Sequence, residues 1–222
     1  MKVLYCGYRN WSIKSLMVLK GLCGNTEFTI AKTKKEFDIL SKTKHDVTLL
    51  VGWSHILPSE YVENNFTAVI HPSDLPEYAG GSPIQNQIID GLVESKVTLF
   101  KATSKLDEGP IIDKRHLDLS GNLTAIFNRL SFATIELIKN FLEKFPNHSE
   151  IPQKSGKITC QRRTPEMSEI TIEELENCTV KELYNKIRCL ADPYPNAFIK
   201  TKDGKLYITG AKYEEDDNLS TR

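Results

Sequence analysis

His71 opens the stretch HPSDLPEYAGGSP, residues 71–83, where a strand-like run gives way to prolines, acids and a glycine pair. Pro72 disfavours the helical region for the residue before it, so a stiff bend fixes the imidazole. An imidazole titrates near neutrality, and its N–H can stabilise an oxyanion as charge develops. A second reactive group follows in SKLDEGPII, residues 104–112. Asp107 there could pair with His71 and position a proton-transferring water, provided both turns lie at one end of the sheet. Taken singly, each has a plainer reading: a histidine can simply bond a loop carbonyl, and Asp-Glu-Gly is ordinary turn composition.

A third stretch is Gly7-Tyr8-Arg9-Asn10, between a first strand and a first helix. A glycine, a cation and an amide at a helix N-terminus suit a phosphate, although such turns also use Gly and Asn for backbone reasons alone. No G-x-S-x-G, G-x-x-x-x-G-K-[ST] or G-x-G-x-x-G occurs, which argues against serine hydrolase, nucleoside triphosphate and dinucleotide chemistry. Trp11, Trp53, Tyr78 and Tyr194 can stack on a ligand ring or fill core. His45, His116 and His148 stand among charged or polar neighbours and are expected at the surface, and the Arg162-Arg163 pair beside prolines reads as a solvated strand or a phosphate contact.

The elements that must position these residues alternate. VLYC, EFTIAK, DVTLLVGW, FTAVI, KVTLFKA and PIIDKRHLDL read as strands. WSIKSLMVLKGL, KKEFDILSK and SPIQNQIIDGL read as helices, Ser82 as N-cap and Pro83 at the first helical position. A longer amphipathic helix is expected from Leu123 to Lys144, capped by Asn122. The fold class is α/β: a Rossmann-like, mostly parallel sheet flanked by helices, with a short C-terminal helix and β-hairpin extension. Ligands of such sheets sit beyond the carboxyl ends of the strands. Residues 1–150 form the expected catalytic domain. Residues 151–222 form a linker followed by the helix VKELYNKIRCL and a hairpin turning at Asp203-Gly204, then a polar tail.

Lysine plus arginine equals aspartate plus glutamate, 29 each, over 222 residues, so no global field favours nucleic acid or an anionic membrane. Five cysteines without C-x-x-C or His-rich spacing imply reduced thiols and no metal knuckle. With no signal-like or membrane-length apolar run, the expectation is a soluble, cytoplasmic protein.

HPSDLPEYAGGSPIQ, the strand after it and LDEGPII together resemble the core of the folate-dependent formyltransferases. QRRTPE, residues 161–166, and IRCLADPYPNAF, residues 187–198, are similar to the segment that follows the catalytic domain in the transfer-RNA and sugar members of that family. The resemblance implies that His71 and Asp107 are catalytic and that 10-formyltetrahydrofolate is the formyl donor, with no metal. It implies a folate pocket lined by Ser54, His55, Ile56 and Leu57, with Ser104 and the backbone to Asp107 opposite. Gly7, Tyr8, Arg9 and Asn10 would meet an acceptor phosphate, and Tyr78, Gly81 and Ser82 would complete the acceptor side. The family's asparagine two positions before the histidine is Val69 here. An oxyanion donor of that kind is worth ~2.7 to 4 kcal/mol in the transition state. Ser73, Asn86 or a backbone N–H would have to replace it.

The transfer-RNA members carry a full C-terminal barrel and a basic surface, and the purine-pathway members lack the RRTPE and DPYPNAF segments. The expected acceptor is therefore a nucleotide-linked amino sugar, not a nucleic acid, with a homodimer formed through the hairpin. Alternatives are a formyltetrahydrofolate hydrolase, a glycinamide ribonucleotide-type formyltransferase, and a non-catalytic folate or sugar-nucleotide binding protein.

Overall fold

The computed structural model describes residues 1–154, 160–192 and 194–214. Six strands form the main sheet in the order β2-β1-β3-β4-β5-β6: β1 Lys2–Cys6, β2 Glu27–Ala31, β3 Val47–Val51, β4 Thr67–His71, β5 Glu94–Lys101 and β6 Ile111–Asp118. The first four are parallel neighbours. β5 runs antiparallel to β4, with His71 opposite Thr98 and Ala68 opposite Lys101, and β6 runs antiparallel to β5. β1 is buried on both faces. Val3 and Tyr5 join the larger core and Leu4 and Cys6 a second one, as a strand covered on two sides requires.

On the larger-core face lie α1 (Asn10–Leu22), α4 (Pro83–Ile89) and α5 (Leu123–Lys144); on the other lie α2 (Lys34–Leu40) and the short α3 (Ser59–Asn64). The side chain of Asn122 accepts the Ala125 N–H at 2.9 Å, so α5 begins where the sequence places it. Ser82 differs from its expected role. It stands at the N-cap of α4 with φ 53° and no capping bond, and its hydroxyl accepts instead from the Arg163 N–H at 3.1 Å.

Where it is described, at residues 151–154 and from 160 onward, the expected linker is a strap. Ile151 exchanges two backbone hydrogen bonds with Ile111, and Cys160 is bridged to Gly80. Beyond a 3-10 turn at Pro165–Ser168 come α6 (Ile172–Asn177), α7 (Val180–Arg188) and the hairpin β7 (Ala197–Lys200) with β8 (Lys205–Ile208). Ile170, Cys189, Leu190 and Ala197 share the larger core with the sheet, so this region is packed against the rest of the chain. Among the described residues no helix is long and apolar enough to cross a membrane.

Candidate active site

β4 ends on His71, whose side chain is 8% exposed, and the loop of residues 72–82 wraps back over it. The ring Nε2–H donates to the Tyr78 carbonyl at 2.9 Å. Ser73, fully buried, donates its hydroxyl to the Glu77 carbonyl at 2.7 Å, and Thr98 of β5 donates to the Ser73 carbonyl at 2.6 Å. Gln87 of α4 donates to the carbonyls of Pro72 and Pro83, both at 2.9 Å. Asp74 takes Lys96 at 2.9 Å and also pairs with Lys114. Burial pushes its carboxyl up, but those two lysines outweigh burial and hold it below its ordinary 3.8. These contacts tie the loop to the antiparallel strand beside it.

Asp107 comes from the loop between β5 and β6. Because β5 is antiparallel, that loop starts beside Thr67, at the opposite end of β4 from His71, where the Ala102 N–H donates to the Thr67 carbonyl at 2.7 Å. The expectation that both turns leave one rim is thus corrected: the loop doubles back along β4 and brings its carboxylate to the histidine. Asp107 Oδ2 lies 3.7 Å from His71 Nδ1 and accepts the Gly80 N–H at 3.0 Å. At 3.7 Å the pair is within ionic reach but beyond direct hydrogen bonding. Tyr78, Ser82 and Asp107 all have φ near 54°. Left-handed backbone at non-glycine residues costs ~1–3 kcal/mol each and gathers at functional sites.

Val69 projects on the same face of β4 as His71, two residues earlier, and packs with Leu75, Ala79 and Phe100. Neither expected substitute for the family asparagine has a free donor. Ser73 is committed within its loop, and Asn86 donates to the Gly81 and Gln161 carbonyls at 3.0 and 3.2 Å. The Tyr78 hydroxyl donates to Asp90 at 2.9 Å; burial and that carboxylate push the phenol up to about 12. The group of Tyr78 that meets His71 is thus its carbonyl. Gly81 faces the strap, since a Cβ there would lie 2.7 Å from the Arg162 backbone.

The remaining candidates meet at the ends of β1 and β3. A Cβ on Gly7 would lie 2.5 Å from the Val51 carbonyl, so only glycine lets the two strand ends approach. The hydroxyls of Tyr8 and Ser54 are hydrogen-bonded. His55 lies with its ring centroid 5.0 Å from Trp53 and 6.2 Å from Tyr8. Tyr8 thus joins the residues expected to line the folate pocket. The Trp53 indole N–H is buried without a partner among the described residues, and such a donor fits a flat ring with polar edges. Leu57 packs on the second core, whereas Ile56 is 80% exposed and Ser104 lies exposed at the start of the Asp107 loop. Arg9, at the N-cap of α1, is held between Tyr8 and Tyr194 at 5.0 and 5.5 Å from their ring centroids, with Asn10 opening the helix.

His148, expected at the surface, is caged. Its side chain is 7% exposed, stacks on Phe145 and meets Phe66 and Phe141 edge-on.

Residues 25–136 match the family model described as Formyl transferase, and residues 165–222 match Methionyl-tRNA formyltransferase, C-terminal domain. A methionyl-tRNA formyltransferase of Listeria monocytogenes serotype 4a (strain HCC23) is 30% identical over 190 residues, 83% of this chain and 60% of that protein. The chain thus spans about 60% of the length of the curated relatives it matches. Among solved structures, methionyl-tRNA formyltransferase from Clostridium thermocellum is similar with a TM-score of 0.87 at 32% identity, over 96% of this chain and 94% of that one. A 4-N formyltransferase from Francisella tularensis shares the fold, with a TM-score of 0.76 at 17% identity over 97% and 98% of the two chains. The C-terminal region therefore does not separate this chain from proteins that bear the transfer-RNA name, contrary to the expectation that excluded that acceptor.

Proposed function

The chain belongs to the formyltransferase family, and from that premise we propose that it moves a formyl group from 10-formyltetrahydrofolate to the amine of a nucleotide-linked deoxyamino sugar. The observation that carries formyl transfer is the meeting of His71 and Asp107 at 3.7 Å, each fixed by a separate backbone partner. The folate supplies an activated formyl carbon, and Ser54, His55, Leu57, Tyr8 and the unpartnered Trp53 N–H are the residues that would hold its ring.

The chain's own groups then divide the work. The Tyr78 carbonyl keeps a proton on His71 Nε2 and leaves Nδ1 turned to Asp107. With a proton on Nδ1 as well, His71 offers it to the carbonyl oxygen that becomes negative as nitrogen adds. Asp107, anchored by Gly80, balances that charge, accepts a proton from the amine, directly or through a water in the gap, and returns it to the folate nitrogen as the bond from that nitrogen to the formyl carbon breaks, so that tetrahydrofolate leaves. Val69 supplies no donor, so His71 and backbone N–H groups bear the oxyanion. Arg9 and the uncapped start of α1 would meet the acceptor's phosphate, and the equality of acidic and basic residues favours a small acceptor over a polyanion.

A second reading is formylation of methionyl-tRNA, favoured by the C-terminal family match and by the Clostridium thermocellum structure. The test incubates the protein with 10-formyltetrahydrofolate and, separately, a panel of nucleotide-linked amino sugars and charged methionyl-tRNA, with mass spectrometry for the formyl increment. A sugar product supports the first reading, and a product on methionyl-tRNA alone replaces it with the second. Formate released at the same rate with and without either acceptor would make the protein a hydrolase. A second copy of the chain is the proposed partner, docking through the outer edge of β8, where Leu206 and Tyr207 are exposed.

A further inference from the structure

We propose that Gln153 is a positioning residue for the Asp107 carboxylate, acting from the strap that lies outside both loops of the site. The inference rests on the reading of His71 and Asp107 given above.

Asp107 sits at φ 54°, a conformation that its own loop does not enforce. The contacts within that loop are local and exposed. Thr103 bonds Lys105, and the Lys105–Glu108 pair, at 3.6 Å, is a surface ion pair of little worth. From outside, the side-chain amide of Gln153 donates to the carbonyl of Asp107 at 2.9 Å and to that of Gly109 at 2.7 Å. One amide group thereby spans Glu108 and fixes the 107–108 and 109–110 peptide planes. On its far side the loop has no slack, because a Cβ at Gly109 would lie 1.7 Å from the Lys101 carbonyl.

Gln153 is itself anchored. Two residues earlier, Ile151 exchanges two backbone bonds of 2.8 Å with Ile111, and Glu150 pairs with Lys101 at 3.3 Å. The strap also takes hold of the histidine's loop. Cys160 N–H donates to the Ala79 carbonyl at 3.0 Å, and Gly81 N–H to the Cys160 carbonyl at 3.1 Å, on either side of the Gly80 N–H that binds Asp107. A small shift of the Asp107 peptide would open both the 3.0 Å bond to Gly80 and the 3.7 Å approach to His71. Displacements near 1 Å at a reacting centre cost on the order of 100-fold in rate.

The test uses the full chain as Gln153→Glu, which keeps the shape and replaces the donors with acceptors, together with Gln153→Ala and Asp107→Asn. Hydrogen exchange of the amides of residues 104–109 is measured on the protein alone. Turnover is measured with 10-formyltetrahydrofolate and the acceptor identified by the panel, as kcat and KM separately and as a function of pH. We expect faster exchange confined to that loop, a fall in kcat of roughly 10- to 100-fold with little change in KM, a pH profile displaced as in Asp107→Asn, and a melting temperature close to the parent's. Parental loop exchange and kcat in Gln153→Glu, with Asp107→Asn inactive, overturn this proposal and leave the dyad standing. Full turnover in Asp107→Asn overturns the dyad reading, and the catalytic role of Gln153 with it.

Discussion

The imidazole of His71 is oriented by a carbonyl on one side and faced by a carboxylate on the other, so each partner has a separable effect. His71→Ala and Asp107→Asn are expected to lower kcat by ~10²- to 10⁴-fold while circular dichroism and melting stay near the parent's; parental kinetics in either variant would refute the assignment. Because the amine attacks as the free base, kcat/KM should climb with pH across the acceptor's titration, and a flat profile there counts against nucleophilic amine attack. Asp74 governs a different pH range. Its carboxyl is held below 3.8 in the folded chain, so its contribution is complete above the unfolded value and disappears as pH falls through the lower folded value. Asp74→Asn should therefore melt lower than the parent near neutral pH and converge with it as pH falls through the lower folded value; a gap that persists in stronger acid would exclude this linkage. At position 69 an asparagine would bring an amide into the Leu75, Ala79 and Phe100 cluster. Val69→Asn is expected to cost ~1–3 kcal/mol in stability without raising kcat, and a large gain in kcat would mark the site as degenerate instead. His71 and Asp107 were readable through residue type and resemblance. The Tyr78 carbonyl, the Gly80 N–H and the grip of Gln153 were not, because backbone partners carry no signature in side-chain identity.

Elements set how far each loop travels. A direct link between β5 and β6, without a crossover helix, already signals antiparallel pairing, since parallel neighbours need a dozen or more residues. Reading that signal would have placed the Asp107 loop at the correct end. Likewise Thr171-Ile-Glu-Glu174 and Thr179-Val-Lys-Glu182 are reciprocal caps that announce α6 and α7, and only the second is expected from the sequence, as a charged helix. The start of α5 was legible because Asn122 acts locally; the strap formed by 150–154 and 160–163 was not, because the Pro, Ser and Lys content of this region is the same whether it wraps a surface or joins domains. Gly109→Ala tests the element directly. The added carbon must push the loop away from Lys101, so turnover should fall at least tenfold even where the variant folds and binds with a similar KM. Parental kcat in a folded Gly109→Ala protein would show that the loop has room to spare.

At the scale of the molecule, the two cores hold the sheet between helices, and the hairpin extends from the larger core with one strand unpaired on its outer side among the described residues. Phe198 is buried and its carbonyl accepts the Ile170 N–H at 2.7 Å, so a truncation that tests self-association belongs after Lys200 and not inside β7. Light scattering on the chain ending there is expected to report monomers where the full chain reports dimers; equal masses would remove the hairpin from any interface. The alternation of strands and helices made the architecture readable, while the joining of the C-terminal region to the main core depended on Ile170, Cys189 and Leu190, whose partners lie far away in sequence. The histidine rides on the tip of β4 and the aspartate's loop hangs from its base, so this five-residue strand acts as a ruler for the distance between the imidazole and the carboxylate. Lengthening the ruler by two residues would keep every side chain on its proper face yet carry the pair about 6 to 7 Å further apart, so a protein that transplants this pair onto another sheet must copy the strand's length before it copies either residue.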